Sequence, residues 1–396
     1  MSNDTVFRRR ISPTERLYFS TRDLAPPFLM QLVVHGNGGL DPAELRRAVT
    51  VASAANPGSR LVRDGDDWVD SGTAAAVRVV AGASLNYPAL EDDPILNSPI
   101  GPTPERTCEV LLLTGDPVTI VFRVFHGVMD GMGVRMWVSD IFRVLQGQEP
   151  LGAADPIADA DIVARIGAPG KPTLVLPVYP SAAGCGRQDR AASHWLLRNR
   201  TIPVTGKGTV ARVAAILAAQ AETKCRIMIP VDLRRHAPEI RTTANLALPL
   251  FIDMRPGDDW RGINADKRSG LQANRELNQL DNGGLAKLPP FVVRGILRAA
   301  NWLGARLDLN IVSATVSYMG RFELDEVSAP GFTATAVRGL PQHTGIMPLL
   351  FGIVEYDGQT DITVSCRNGE GVEARLESLL DRIASTLEHD LSNATL

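Results

Sequence analysis

The stretch from Pro117 to Leu145 admits few folds, because its apolar pattern changes period within eight residues. Pro117 to Phe125 (PVTIVFRVF) is a strand-length run rich in β-branched and aromatic residues, whereas Val134, Trp137, Val138, Ile141, Phe142 and Leu145 recur at helical spacing. Between them, HGVMDGMG places glycines at 127, 131 and 133, which permit a sharp loop and a close backbone approach by a ligand. A strand, a tight loop and a helix therefore bracket residues 126–133. His126 stands at the strand end and Asp130 four residues on.

The same reading extends along the chain. Phe28 to His35 reads as a strand, Asn37-Gly38-Gly39 as a turn, and Asp41-Pro42 as the cap and first turn of a helix carrying Leu45, Ala48, Val49 and Ala52. Cys108 to Thr114 and Pro117 to Phe125, joined by Gly115-Asp116, should pair antiparallel. Residues 150–192 shift to Ala, Gly, Pro, Asp and Ser and read as a linker. Beyond it the mixed character repeats. Helices are expected from Thr209 to about Thr223, across 258–280 and 290–306, and from Val372 to about Leu387; strands are expected near Cys225–Leu233, Leu246–Met254, Val312–Met319, Met347–Tyr356 and Ile362–Cys366. At 396 residues the chain exceeds one ordinary core. The expectation is an α/β (α+β) protein with an N-terminal domain over 1–150, a linker over 151–192 and a C-terminal domain over 193–396.

Composition removes several classes of function. A net charge of −3, with no alternation of aromatics and Lys or Arg, does not supply the basic field that nucleic-acid binding needs. Cys108, Cys185, Cys225 and Cys366 have no CxxC spacing, so neither a zinc site nor a disulfide framework is expected, and no metal is assigned. Arg8 to Arg10 are followed by polar residues where a secretory signal needs an apolar core, and no stretch reaches the roughly 18 apolar residues of a membrane span. These features point to a cytoplasmic location.

Among the residues able to do chemistry, His126 leads, since imidazole titrates near neutral pH without special tuning. Asp130, with an ordinary carboxylate pKa near 4, is a poor base for an alcohol and suits an orienting role. His343, close to Gly345, could line a cleft, while His35, His194, His236 and His389 read as surface or satisfied polar residues. Lys207, just before the helix at Thr209, could meet a phosphate at a cleft mouth, with a solvated lysine as the plainer account. Cys185 in Gly-Cys-Gly has no basic residue before it that would activate a thiolate.

HGVMDG, after an apolar strand and before an amphipathic helix, resembles the HHxxxDG motif of the thioester-dependent acyltransferase superfamily. That superfamily takes in chloramphenicol acetyltransferase, plant BAHD acyltransferases, condensation domains of nonribosomal peptide synthesis, polyketide-associated acyltransferases and wax ester synthases. Other segments resemble it in order: ISPTERLYF (Ile11 to Phe19), GLDPAELRRAV (Gly39 to Val49), GTVARVAAILAA (Gly208 to Ala219), PVDLRRH (Pro230 to His236) with ANLALPLFIDM (Ala244 to Met254), and VSYMGRFE (Val316 to Glu323). Phe125 stands where the first motif histidine falls, and no DFGWG segment is present, which argues against the plant branch and a full condensation domain.

The resemblance implies two chloramphenicol-acetyltransferase-like domains with a tunnel between them. It implies an acyltransferase of secondary or lipid metabolism that moves an acyl group from acyl-CoA or carrier-protein phosphopantetheine to a small-molecule hydroxyl or amine, with His126 as general base and no permanently bound cofactor. Asp130 and Gly131 would shape the loop, and Asp130 would pair, away from the substrate, with Arg234 or its neighbour Arg235 in a bidentate contact. Ser317 could donate to the oxyanion, although an ordinary strand serine is the simpler account. Alternatives are a condensation-like amide-forming catalyst on carrier-bound partners, and a non-catalytic binding protein of the same fold. A monomer is expected.

Overall fold

The structure, a computed structural model, describes residues 6–24, 27–103, 105–188, 193–222, 224–280 and 282–392. Its strands are β1 (Arg8–Arg10), β2 (Leu29–Gly38), β3 (Leu61–Asp64), β4 (Asp67–Asp70), β5 (Ala76–Val80), β6 (Cys108–Leu113), β7 (Val118–Phe125), β8 (Trp195–Ile202), β9 (Cys225–Asp232), β10 (Ala247–Met254), β11 (Ala314–Phe322), β12 (Phe332–Pro341), β13 (Leu349–Tyr356) and β14 (Gln359–Arg367). The helices are α1 (Pro13–Leu24), α2 (Pro42–Ala55), α3 (Pro94–Asn97), α4 (Gly131–Leu145), α5 (Asp159–Ile166), α6 (Thr209–Gln220), α7 (Trp260–Gln272), α8 (Pro290–Leu307) and α9 (Val372–Ser392).

Two mixed sheets organise the chain. The first has the order β12-β2-β7-β6-β5, and its middle strand is β7. A central strand is covered on both faces, which is why β7 reads as a continuous apolar run instead of an alternating one. One face packs Ile120, Phe122 and Val124 against Trp137, Ile141 and Phe142 of α4. The other carries Val33, Leu111 and Val121 toward Leu197 of β8, so the two sheets meet there. The one charged intrusion, Arg123, is buried but pairs with Glu109, its register partner on β6.

The second sheet runs β10-β9-β11-β13-β14-β8. Ile227, Val316, Phe351, Ile362 and Val364 face α6 and α9, where Val213, Leu217, Leu376, Leu380 and Ile383 close the core. The opposite face of this sheet looks toward the first.

β12 belongs to the second half of the sequence but pairs antiparallel with β2 along Phe332–Pro341, in the first sheet. The strands therefore do not divide at residues 151–192. Phe332 and Leu340 are buried there, and Gly36 on β2 leaves the room: a Cβ at Gly36 would stand 2.5 Å from the Phe332 ring.

The segment read as a linker also carries structure. Asp159–Ile166 is helical, with the Ala158 amide donating to Asp161 (2.8 Å), and Ile162 is buried beside Leu233 and Leu246. A single buried apolar residue, Ile162, with Val163 partly buried beside it, anchors a short helix that composition alone assigns to loop. Residues 189–192 of that segment, and Thr223 at the expected end of the helix now bounded at Gln220, lie outside the described residues.

Candidate active site

β7 ends at Phe125, and His126 begins the turn. Its amide donates to the Phe28 carbonyl (3.4 Å), and Phe28 itself has φ +52°, a conformation that costs a bulky residue energy and is held by packing. The imidazole stacks on Tyr18 of α1, with ring centroids 4.6 Å apart and planes at 26°, and on Phe28 at 5.7 Å and 20°. Its polar contacts fall on Nδ1, which lies 3.3 Å from the Met129 carbonyl and 3.3 Å from Asn245 Nδ2; the Asn245 amide also donates to the His126 carbonyl at 2.7 Å. A carbonyl only accepts and an amide NH2 only donates, so the two contacts make opposite demands on Nδ1; the tautomer that the Met129 carbonyl favours carries its proton on Nδ1 and leaves Nε2 with its lone pair. Burial pushes the imidazole below its ordinary pKa, against the Met129 carbonyl and the Asp130 charge, so the neutral, basic form is favoured. Burial, with the charges of Asp159, Asp130 and Glu15 behind it, raises the Tyr18 phenol, so Tyr18 stays neutral.

Asp130 is buried and caps α4, accepting from Gly133 N at 2.7 Å through Oδ1. Its Oδ2 takes the Leu246 amide (2.7 Å) and Arg234 Nη1 (2.9 Å). The arginine that reaches it is Arg234; Arg235 turns instead to Glu276. The contact is not the two-nitrogen, two-oxygen fork expected of the pair. Arg234 spreads its donors over Asp130, Asp232 and the carbonyls of Thr242 and Ala244, and although burial opposes its charge, the Asp130 and Asp232 carboxylates raise its pKa. Gly133 is fixed by the same packing: a Cβ there would stand 2.2 Å from the Thr243 carbonyl.

The remaining sequence candidates fall at different removes. Ser317 lies on β11, two residues before Met319, whose methyl would stand 3.6 Å from a Cβ at Gly131. His343 follows β12, its Nδ1 buried without a partner among the described residues, and burial followed by the Arg367 charge lowers it to about 3. Lys207 is exposed at the start of α6, and no contact among the described residues joins it to His126. Residues that sequence reasoning did not single out are Tyr18, Asn245 and the buried pair Arg9–Glu15, whose Arg9 Nη2 donates to the Val128 carbonyl inside the loop (3.1 Å). Asn245 carried a signal, since it closes the paired block that begins at VDLRR.

Among the described residues, no group of three or more His, Cys, Asp or Glu is placed to hold a metal ion, and no helix is long and apolar enough to cross a membrane.

No protein-family model matches the chain, and no curated protein matches it in sequence. Solved structures do match in fold. The first condensation domain of the calcium-dependent antibiotic synthetase, in complex with a substrate analogue, aligns at TM-score 0.64 and 17% identity over 98% of each chain. The starter condensation domain of rhizomide synthetase bound to C8-CoA aligns at 0.62 and 18%, over 97% of this chain and 95% of that one. The condensation domain of the monacolin K polyketide synthase aligns at 0.61 and 12%, over 98% and 99%. The chain thus has the two-lobed, chloramphenicol-acetyltransferase-like fold of condensation domains across nearly its whole length, although it lacks the DFGWG segment.

Proposed function

We propose that the protein is an acyltransferase that moves an acyl group from a thioester, acyl-CoA or carrier-bound phosphopantetheine, to a hydroxyl or amine, with the passage between its two lobes as the site. The observation that carries this reading is the His126 imidazole at the end of β7, its Nδ1 turned to the Met129 carbonyl and its basicity kept neutral by burial. An acceptor O–H or N–H within about 3 Å of Nε2 gives up its proton as its lone pair attacks the thioester carbon. Collapse of the tetrahedral adduct breaks the C–S bond, and the proton passes from Nε2 to the leaving thiolate. Asp130, with both oxygens engaged by backbone amides and Arg234, acts by holding the loop. Gly131 leaves β11 room to pass the loop, and Ser317 is the candidate oxyanion donor on that strand.

A second reading, amide formation between carrier-bound partners, is favoured by the fold likeness to condensation domains. The two are separated by thiol release from octanoyl-CoA with free alcohols and amines, against the same assay with carrier-loaded acyl groups. Under the first reading, His126→Ala lowers kcat/KM about 10²- to 10⁴-fold with the fold intact. A variant within a few-fold of wild type would remove His126 from the chemistry.

A further inference from the structure

Four buried polar atoms beside the site have no hydrogen-bond partner among the described residues: Thr315 Oγ1, Ser365 Oγ, His343 Nδ1 and Thr344 Oγ1. Thr315 and Ser365 are 2% and 0% exposed. The topology gathers them. Thr315 pairs with Leu350 on β13, and Leu350 pairs with Ser365 on β14, so the three share one row on one face, with the hydroxyls about 10 Å apart across the strands. That face is opposite to Val316, Phe351 and Val364, which enter the core under α6 and α9, and it therefore looks toward the first lobe. Arg367, two residues after Ser365 on the same face, donates to the Gly345 carbonyl and lies close enough to His343 to disfavour its charge, which puts the 343–345 loop over this row.

The row is tied to the His126 loop at two points. Gln342, just before His343, accepts from the Leu29 amide (2.6 Å), and Leu29 pairs with Phe125, the residue before His126. Along β11, Ser317 and Met319 continue the same face from Thr315 to Gly131. A buried polar atom without a partner costs roughly 1–3 kcal/mol, so four together call for a ligand that meets them.

We infer that this row is the acceptor subsite, and that the acceptor is a neutral molecule bearing at least one hydroxyl or amide besides the group that is acylated. An acyl chain would leave the four atoms unmatched. The phosphates of CoA would need a free cation, and Arg367 is engaged with Gly345 and Asn301. The inference rests on the acyltransferase reading, and it names the substrate class of that same site.

Two measurements test it. In the unliganded protein, Thr315→Val and Ser365→Ala should leave the melting temperature unchanged or raise it, because each removes a hydroxyl that nothing matches; a clear fall would mean that the hydroxyl has a structural partner, and would overturn the inference whatever the enzyme does. In the thiol-release assay with octanoyl-CoA, glycerol should be used at least about tenfold better than propanol, or serinol better than propylamine, since a site built to bond a hydroxyl rejects the analogue lacking it. Both variants should shrink that ratio severalfold with KM for octanoyl-CoA unchanged. Equal use of the paired acceptors overturns the subsite alone, as does a rise in KM for octanoyl-CoA, which would give the row to the donor arm. No thiol release with any acceptor, from octanoyl-CoA or from a carrier-loaded octanoyl group, overturns the acyltransferase reading itself, and the subsite with it.

Discussion

Arg9 and Arg234 both grip the segment from His126 to Asp130 from buried positions, but they do it with different geometry. Arg9 faces Glu15 with two nitrogens toward two oxygens, at 2.7 and 2.8 Å, and gives one bond to the loop, at the Val128 carbonyl. Arg234 gives one bond to Asp130 and the rest to Asp232 and to backbone carbonyls of its own lobe. The first is a closed pair within the N-terminal lobe, with the loop as a third party. The second is a hub of the other lobe, with Asp130 as its only partner in the N-terminal lobe among the described residues. A closed fork fixes its own two residues and only nudges a neighbour, whereas a hub that spans two lobes fixes their relative placement, and with it the loop that carries His126.

That contrast predicts unequal costs. Arg234→Met should be the most damaging substitution, because it leaves Asp130 and Asp232 charged without a cation and strips two carbonyls of their donors. Breaking a buried pair costs about 3–5 kcal/mol, and the upper end is expected here. Asp130→Asn should cost less, and the double variant less than the two losses added. Thermal denaturation of the three variants checks this; purely additive losses would mean that the hub does not act through Asp130.

Arg9→Met should fall lower in the same range. Glu15 keeps two donors on Oε2, Ser12 N at 2.9 Å and Trp68 Nε1 at 3.1 Å, and beyond the pair itself the Val128 carbonyl loses its bond from Arg9. Activity should drop along with stability, and Arg9→Lys, which retains the charge but not the fork, should recover part of both. If Arg9→Met proved as costly as Arg234→Met, the distinction between fork and hub would not hold.

How legible these two clamps were in the sequence follows from how local their signals are. Asp130 and Arg234 sit in segments whose spacing and resemblance are strong, so their meeting could be anticipated; its single-nitrogen geometry could not, because that depends on the Thr242 and Ala244 carbonyls, which a tertiary turn brings under the guanidinium. Arg9 and Glu15 lie in a polar N-terminal stretch that looks like ordinary solvated charge, and only the fold buries them. β12 was missed for a related reason: FTATAVRGLP lacks an apolar run, since an edge strand needs just part of its side chains inside. The long periodic helices and the two central strands of the first sheet were readable because their burial imposes a pattern along the chain.

The smallest effect concerns the carboxyl that sets the two clamps apart electrostatically. Asp159, at the start of α5, is fully buried, and burial followed by the charge of nearby Glu15 raises it to about 7, with the Ser12 and Thr14 hydroxyls pulling the other way. In the unfolded chain an aspartate titrates near 3.9. A folded pKa above the unfolded one means that the native state holds the proton more tightly. The contribution to stability is then full below about pH 4, is lost as pH rises toward 7, and is constant above it. Other carboxylates titrate over the same range, so the clean quantity is the difference between wild type and Asp159→Asn, whose amide stays neutral throughout. That difference should favour the variant increasingly from pH 5 to pH 7, by on the order of 1–2 kcal/mol, and then level off. Melting curves at half-unit intervals from pH 5 to 8.5 read it directly. A gap that is flat with pH would mean that Asp159 is ionised in the folded protein, and the carboxyls around Arg9 would then be no less compensated than those around Arg234.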